Sequence, residues 1–408
     1  MSLPLGTGVS FLMLCVVTLG GLAWYVMEPD ERKHALRVVI ARLRQAQDGA
    51  KRLRQDREPL HDVLRARTPI ALVTPLLVAA NVAVFAAMLA GAAPSSDAAT
   101  LVSWGANFGP QTTNGEWWRL VTSSFVHSGV LHLAVNLAAL ISVGLVLERL
   151  VGHLTFAAVY AASAVFAGVA ALSTAPVAVI AGGSGAIFGL YGLLLASWTW
   201  GACQHATTTI RVHTVNRLAP AALVFVLYHI ADGGIASPGE RLGLVTGFVC
   251  GLALARCVRE SKPPARRIAA TIAATASIAI LSAVPLRGVV DIRPEVNQLA
   301  ALEERLAGTY DEAVGEFRKG RLTGKALVQV IEGTVLPELQ KPRQRLKAFD
   351  KVPPEHDSMR AAAETYLRLR DESWRLRAAA LRRSSMPMLR QADEVEKASL
   401  EALRMIGR

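Results

Sequence analysis

Gly182–Gly189 reads GGSGAIFG. A serine set among glycines stands at the head of an apolar helical run that continues to Trp200. Glycines permit tight turns and close approach of another segment. Ser184 is expected in the first turn of that helix. Backbone N–H groups are free there and the helix dipole favours negative charge. Gly185, Gly189 and Gly192 fall near one face and would admit a neighbouring helix. On its own the stretch reads first as a small-residue packing seam with a capping serine, and second as a nucleophile. A serine hydroxyl attacks only when a base takes its proton, so the reading depends on what stands around it.

The chain has 408 residues, and 52% of them are hydrophobic. Its apolar runs suit helices crossing a hydrocarbon core about 30 Å thick. Eight are read: 5–27, 69–92, 131–147, 152–174, 184–200, 218–231, 242–257 and 268–286, with 218–231 the shortest. After 287 the charge rises and the pattern turns amphipathic. This divides the chain into an N-terminal transmembrane helix with a basic cytoplasmic linker (1–67), a membrane core (68–260), an additional transmembrane helix (261–290) and an extracytoplasmic helical bundle (291–408). The first run lacks a basic n-region and a clear cleavage site, so it is read as a retained helix.

The net charge of +12 follows from topology, because Lys and Arg collect on the cytoplasmic side. The densest cluster, ERKHALRVVIARLRQAQDGAKRLRQDR (Glu31–Arg57), is placed inside, and the N-terminus and the bundle then lie outside. Nucleic-acid binding is excluded on this reading. Cys15, Cys203, Cys250 and Cys257 form no CxxC pair, so neither a disulfide framework nor a zinc site is expected.

Trp117–Asn136 reads WWRLVTSSFVHSGVLHLAVN. Trp117, Trp118 and Arg119 suit an interfacial belt. His132 and Asn136 are four apart and share a helix face, inside an apolar run where polar groups are costly. They serve either to pack the bundle or, with the Ser184 N–H, to hold an oxyanion.

Taken in order, these segments resemble the rhomboid family of intramembrane serine proteases. The matching pieces are Trp118-Arg119, His127, His132 with Asn136, Glu148-Arg149, GGSGAIFGLYG (Gly182–Gly192) and LGLVTGFVCGLALA (Leu242–Ala255). The match covers about 68–258, less than half the chain. The fold class implied is all-α: a six-helix rhomboid core within about eight transmembrane helices, plus an extramembrane helical bundle. The resemblance implies that Ser184 attacks, that His132, Asn136 and the Ser184 N–H stabilise the oxyanion, and that His127, Gly182, Gly183 and Gly185 line the site. It implies cleavage of transmembrane helices near the outer face of a membrane, expected to be a bacterial inner membrane, with no metal or cofactor.

The resemblance also implies a Ser–His dyad whose histidine lies three residues before the first glycine of the sixth core helix. Gly243, Gly247 and Gly251 form that glycine face, and three before Gly243 stands Glu240. His34, His61, His153, His205 and His213 fall on the cytoplasmic side, and His356 in the bundle. His127 and His132 match family positions that are not the base, which leaves His229, on the fifth core helix. Three readings stay open: His229 as a relocated base, Glu240 as the base, or no base. The expectation is that Glu240 faces Ser184, that His229 stands farther off, and that activity is absent or low. In that case the chain is a pseudoprotease that binds transmembrane client proteins.

The bundle shows apolar stripes at Val296, Leu299, Leu302, Leu306; at Ile331, Val335, Leu339; at Tyr366, Leu369, Leu376; and at Val395, Leu403, Ile406. Breaks fall near Lys319-Gly320, Pro353-Pro354 and Met386-Pro387. An antiparallel bundle follows, serving as a stabilising cap or as a module for a protein partner.

Overall fold

The computed structural model describes residues 64–91, 97–203, 212–231, 237–254 and 262–406. The first apolar run and the basic cluster of Glu31–Arg57 lie outside them. Among the described residues every regular element is a helix, apart from one isolated β-bridge between Asn107 and Ile180. Two compact units are present. Among described residues, one takes those of Met1–Phe108, Glu116–Thr174 and Val179–Pro285; the other takes Gly109–Gly115, Ala175–Ala178 and those of Leu286–Arg408.

The first unit holds α1 (Val73–Ala90), α2 (Val130–Val151), α3 (His153–Thr174), α4 (Ser184–Cys203), α5 (Val212–Ala231), α6 (Pro238–Leu254) and α7 (Ala265–Ala283). Among the described residues, four helices are long and apolar enough to cross a membrane: α1, α2, α3 and the segment Ala265–Leu286. Ser184–Thr199 and Leu218–Ala231 are shorter apolar stretches. Helix α6 begins earlier than the apolar run suggests, because Pro238 suits a first helical position and Ser237 caps it.

Backbone groups in lipid must be satisfied within the protein. The start of α1 shows how. The fully buried Glu148 of α2 accepts from the N–H groups of Leu72 and Val73 (2.7 Å each) and Thr74 (2.8 Å), and meets His153 Nδ1 at 2.6 Å. This gives Glu148 a structural task.

Helices α3, α4 and α6 pack backbone to backbone. A methyl group on Gly243 would strike the Gly185 carbonyl, one on Gly247 the Gly189 carbonyl, and one on Gly192 the Leu244 carbonyl. Gly189 faces Ser163, and Gly185 faces Ala167, both on α3. Lipid offers no hydrophobic force between helices, so close approach through small residues supplies the contact. Helix α7 exposes Ile278, Ile280 and Leu281, as a lipid-facing helix does.

The second unit holds α8 (Arg293–Arg318), α9 (Gly324–Val330), α10 (Leu336–Ala348), α11 (Asp357–Arg383) and α12 (Met386–Ile406). Its two short segments join it through Asn114 Nδ2, which donates to Val289 O (3.0 Å), and Arg293 Nη2, which donates to Val177 O (3.2 Å). Between α9 and α10 the chain widens into a π turn at Ile331–Val335, where Pro337 offers no N–H to the Gly333 carbonyl.

The first two apolar stripes are buried as read. The third is displaced. Helix α11 buries Ala363, Tyr366, Leu367, Arg370, Trp374 and Ala378, while Leu369 and Leu376 are only half-buried. A buried arginine sits in the middle of that face and hides its period. In the fourth stripe, Val395, Leu403 and Ile406 are half-buried, and Ala392 and Ser399 are the buried positions.

Candidate active site

The site is built on a loop platform. Asn107 and Ile180 exchange two backbone hydrogen bonds of 2.9 Å, and Asn107 Nδ2 donates to Gly168 O on α3 (3.2 Å). Gly182 N donates to Ser123 O (2.9 Å). Arg119 is buried below Trp118, its guanidinium 4.6 Å from the ring centre, and donates to Val102 O (2.5 Å) and Ala106 O (3.0 Å). So Arg119 organises the loop from within, while Trp118 is exposed at the surface.

Gly182 is required twice. Its φ is +117°, and a Cβ there would lie 2.7 Å from His132 Nε2. At Gly183 a Cβ would lie 3.1 Å from Ser124 O and 3.3 Å from Tyr160 Oη. The two glycines bring the chain against His132 and deliver Ser184 to the first position of α4.

Ser184, His132, His229 and Glu240 line one cavity of about 230 Å³, closed on its apolar side by Ala164, Ala167, Gly168 and Ala171. Ser128 Oγ lies 3.1 Å from His132 Nδ1. Asn136 sits behind Gly183: its Nδ2 donates to His132 O (2.9 Å), and its buried Oδ1 lies 4.0 Å from the Gly183 Cβ position. Offering an N–H toward Gly183 requires a half-turn of the amide. His127 packs edge-on against His132, with centroids 5.0 Å apart, and its Nδ1 lies 3.3 Å from Phe125 O. Burial pushes the His127 imidazole down to about 4, against the lifting effect of the Phe125 carbonyl.

His229 is buried near the end of α5, at 3% exposure. Its Nδ1 donates to Phe225 O at 2.8 Å, because a carbonyl can only accept. Its Nε2 lies 3.6 Å from Glu240 Oε1, across to α6. The ring packs against Phe225 (centroids 4.3 Å apart) and Phe188 (5.8 Å). Among the described residues, no histidine nitrogen is hydrogen-bonded to the Ser184 hydroxyl.

Sequence reasoning did not pair His229 with Glu240. The run Ser237–Glu240 reads SPGE, a capping-box pattern in which the glutamate turns back to its own helix start. Half of the box forms: Glu240 N donates to Ser237 Oγ at 3.3 Å. The carboxylate approaches His229 instead. Ser123 and Ser124, also on the cavity wall, carried no signal beyond their place in the loop.

The family model described as Rhomboid domain matches residues 114–260. Rhomboid protease GluP of Bacillus subtilis (strain 168) is 33% identical over 164 residues, covering 39% of this chain and 30% of that protein. Rhomboid-like protease 2 of Toxoplasma gondii is 31% identical over 196 residues, 46% of this chain and 66% of its own length. Inactive RHOMBOID-like protein 8 of Arabidopsis thaliana is 39% identical over 87 residues, 21% of this chain and 24% of that protein. The chain thus spans less than two thirds of each of these relatives. The glycine-backed serine helix, the loop platform before it and the match across 114–260 converge on one assignment: this chain is an integral membrane protein that carries a rhomboid domain over residues 114–260.

Proposed function

We propose that the chain is an intramembrane serine endopeptidase that uses Ser184 as nucleophile and the Glu240–His229 pair as proton acceptor. One observation carries this reading: Ser184 lines the same cavity as two titratable side chains from two different helices, 3.6 Å apart. The serine oxygen attacks a peptide carbonyl while its proton passes to the pair. The Ser184 N–H, His132 and a turned Asn136 amide receive the developing oxyanion. The pair then returns the proton to the leaving nitrogen, and water completes the cycle. The substrates are transmembrane protein segments, cut near the outer face of the membrane.

The experiment is labelling of purified protein with a serine-reactive fluorophosphonate, together with cleavage of a reporter transmembrane substrate in proteoliposomes. Labelling and cleavage are expected, and both vanish in Ser184→Ala. Absence of both in the wild-type chain overturns the reading. The second reading, a non-catalytic binder of transmembrane clients, is favoured by the present hydrogen bond of Asn136, which spends its amide on His132 O.

The proposed topology places the N-terminus and the bundle outside the inner membrane of a bacterium. Cysteines introduced at Ser2 and Ser385 are expected to react with an impermeant maleimide in intact cells. Protection of either site reverses the orientation.

A further inference from the structure

The geometry points to Glu240, rather than His229, as the group that takes the proton of Ser184, with His229 as a positioning residue that acts through Glu240. This inference rests on the serine-protease reading above.

Helices α4 and α6 begin at Ser184 and Pro238 and pack through glycine. A Cβ on Gly185 would lie 3.9 Å from Gly239 O, and one on Gly243 would strike the Gly185 carbonyl. Residues 239 and 240 therefore stand level with 184 and 185. His229 comes from a different helix: its ring packs edge-on to Phe188 and lies 6.3 Å from the His132 ring, centroid to centroid.

Orientation points the same way. Nδ1 of His229 is committed to Phe225 O, so Nε2 is the nitrogen with a variable proton. That nitrogen already stands opposite Glu240 Oε1 at 3.6 Å. An imidazolium there orients the carboxylate and balances its charge. The proton accounting closes without any further reactant. The Ser184 O–H bond breaks as the new C–O bond forms, and the proton goes to a Glu240 oxygen. Collapse of the tetrahedral intermediate breaks the C–N bond, and Glu240 protonates the amine. Attack by water reverses the roles: Glu240 takes a proton from water, and Ser184 Oγ leaves with it.

The test compares wild-type protein with Glu240→Gln, His229→Gln and the double variant Glu240→His/His229→Gln. The measurements are reporter cleavage in proteoliposomes and fluorophosphonate labelling, and thermal melting checks that each variant is folded. Glu240→Gln is expected to lower kcat by about 100-fold or more, the scale of a lost acid–base group. His229→Gln is expected to lower kcat by less than that and to leave KM unchanged. The double variant is expected to regain activity, because a histidine level with the serine needs no partner on α5. If His229→Gln silences the protein while Glu240→Gln keeps its activity, His229 is the base; the inference falls and the protease reading stands. The same holds if the double variant stays silent while the wild type is active. If the wild type is inert toward both probe and substrate, the protease reading itself falls.

Discussion

Arg370 in the bundle and His229 in the core are both buried, and each stands beside a glutamate, yet the two pairs are built differently. Arg370 has no exposed surface. Its Nε and Nη2 donate to the two oxygens of Glu303 at 2.9 and 2.6 Å, and its Nη1 lies 2.9 Å from Glu396 Oε1. Tyr366 Oη donates to Glu303 Oε2 at 2.7 Å, and the Trp374 ring lies under the guanidinium at 4.5 Å. Burial and the Glu303 carboxylate beside it hold the Tyr366 hydroxyl well above its ordinary range. That arrangement is closed. A forked, planar pair fixes one geometry and has no reason to exchange protons. His229 Nε2 and Glu240 Oε1 lie 3.6 Å apart on the wall of a cavity that Ser184 also lines. The forked pair specifies a fold, while the His229–Glu240 pair stands where chemistry can use it.

The packing differs in the same way. The core joins α4 to α6 through glycine backbones, whereas the bundle fills its interior with Leu299, Leu306, Tyr366 and Trp374. Adding side-chain bulk separates the two regions. Gly247→Leu is expected to abolish Ser184 labelling altogether, because its Cβ already meets the Gly189 carbonyl and overpacking forces the backbone to move. Gly308 lies in α8 with open space around it. Gly308→Ala there is expected to stabilise by up to about 1 kcal/mol through helix propensity. A labelled Gly247→Leu protein would break the contrast.

The next largest effect tests the forked pair. Arg370→Ala leaves Glu303 buried without its fork and is expected to cost about 3–5 kcal/mol, read by hydrogen exchange of bundle amides in the full chain. Arg382 and Glu332 pair on the surface, their side chains 58% and 40% exposed, and Arg382→Ala is expected to cost less than about 1 kcal/mol. Equal losses would mean that burial of the pair does not decide its worth.

The helices of the core were legible because lipid forces a simple code: apolar runs mark spans, and glycine spacing marks the close-packed face of α6. Ser184 and the His132–Asn136 face were legible for the same reason, as polar or glycine-rich exceptions within apolar runs. The His229–Glu240 approach was not, because it joins α5 to α6 and its glutamate sits in a pattern that ordinarily caps a helix. The α11 stripe was misread because Arg370 occupies the centre of a buried face, and a charge there looks like solvent exposure. In both places the obscuring feature is a buried ionisable group whose partner lies on another helix.

On the catalytic side of the comparison, Asn136→Ala is expected to cost about 2–4 kcal/mol of transition-state stabilisation, the scale of one lost oxyanion donor. The measurement is kcat for reporter cleavage, set against melting temperature. A reduced rate with unchanged melting assigns the amide to the reaction and requires it to turn away from His132 O. An unchanged rate assigns it to packing alone.

The last effect concerns His127, whose nearest polar contact is a carbonyl rather than a charge. Its folded value of about 4 lies below the ordinary 6.5, so the fold holds the neutral ring. Above pH 6.5 neither the folded nor the unfolded chain carries that proton, and its contribution to stability is complete. As the pH falls from 6.5 toward 4, the unfolded chain binds a proton that the fold refuses, and stability declines. Below about pH 4 both states are protonated at this site and the decline stops. The full span is on the order of 3 kcal/mol. His127→Gln keeps a polar side chain of similar reach but does not titrate, so the mutant's melting temperature is expected to fall less steeply than the wild type's over that window. Other titrating groups are common to both proteins and drop out of the difference. Parallel curves would mean that His127 already gains its proton without cost in the fold, and that its burial beside His132 does not keep it neutral.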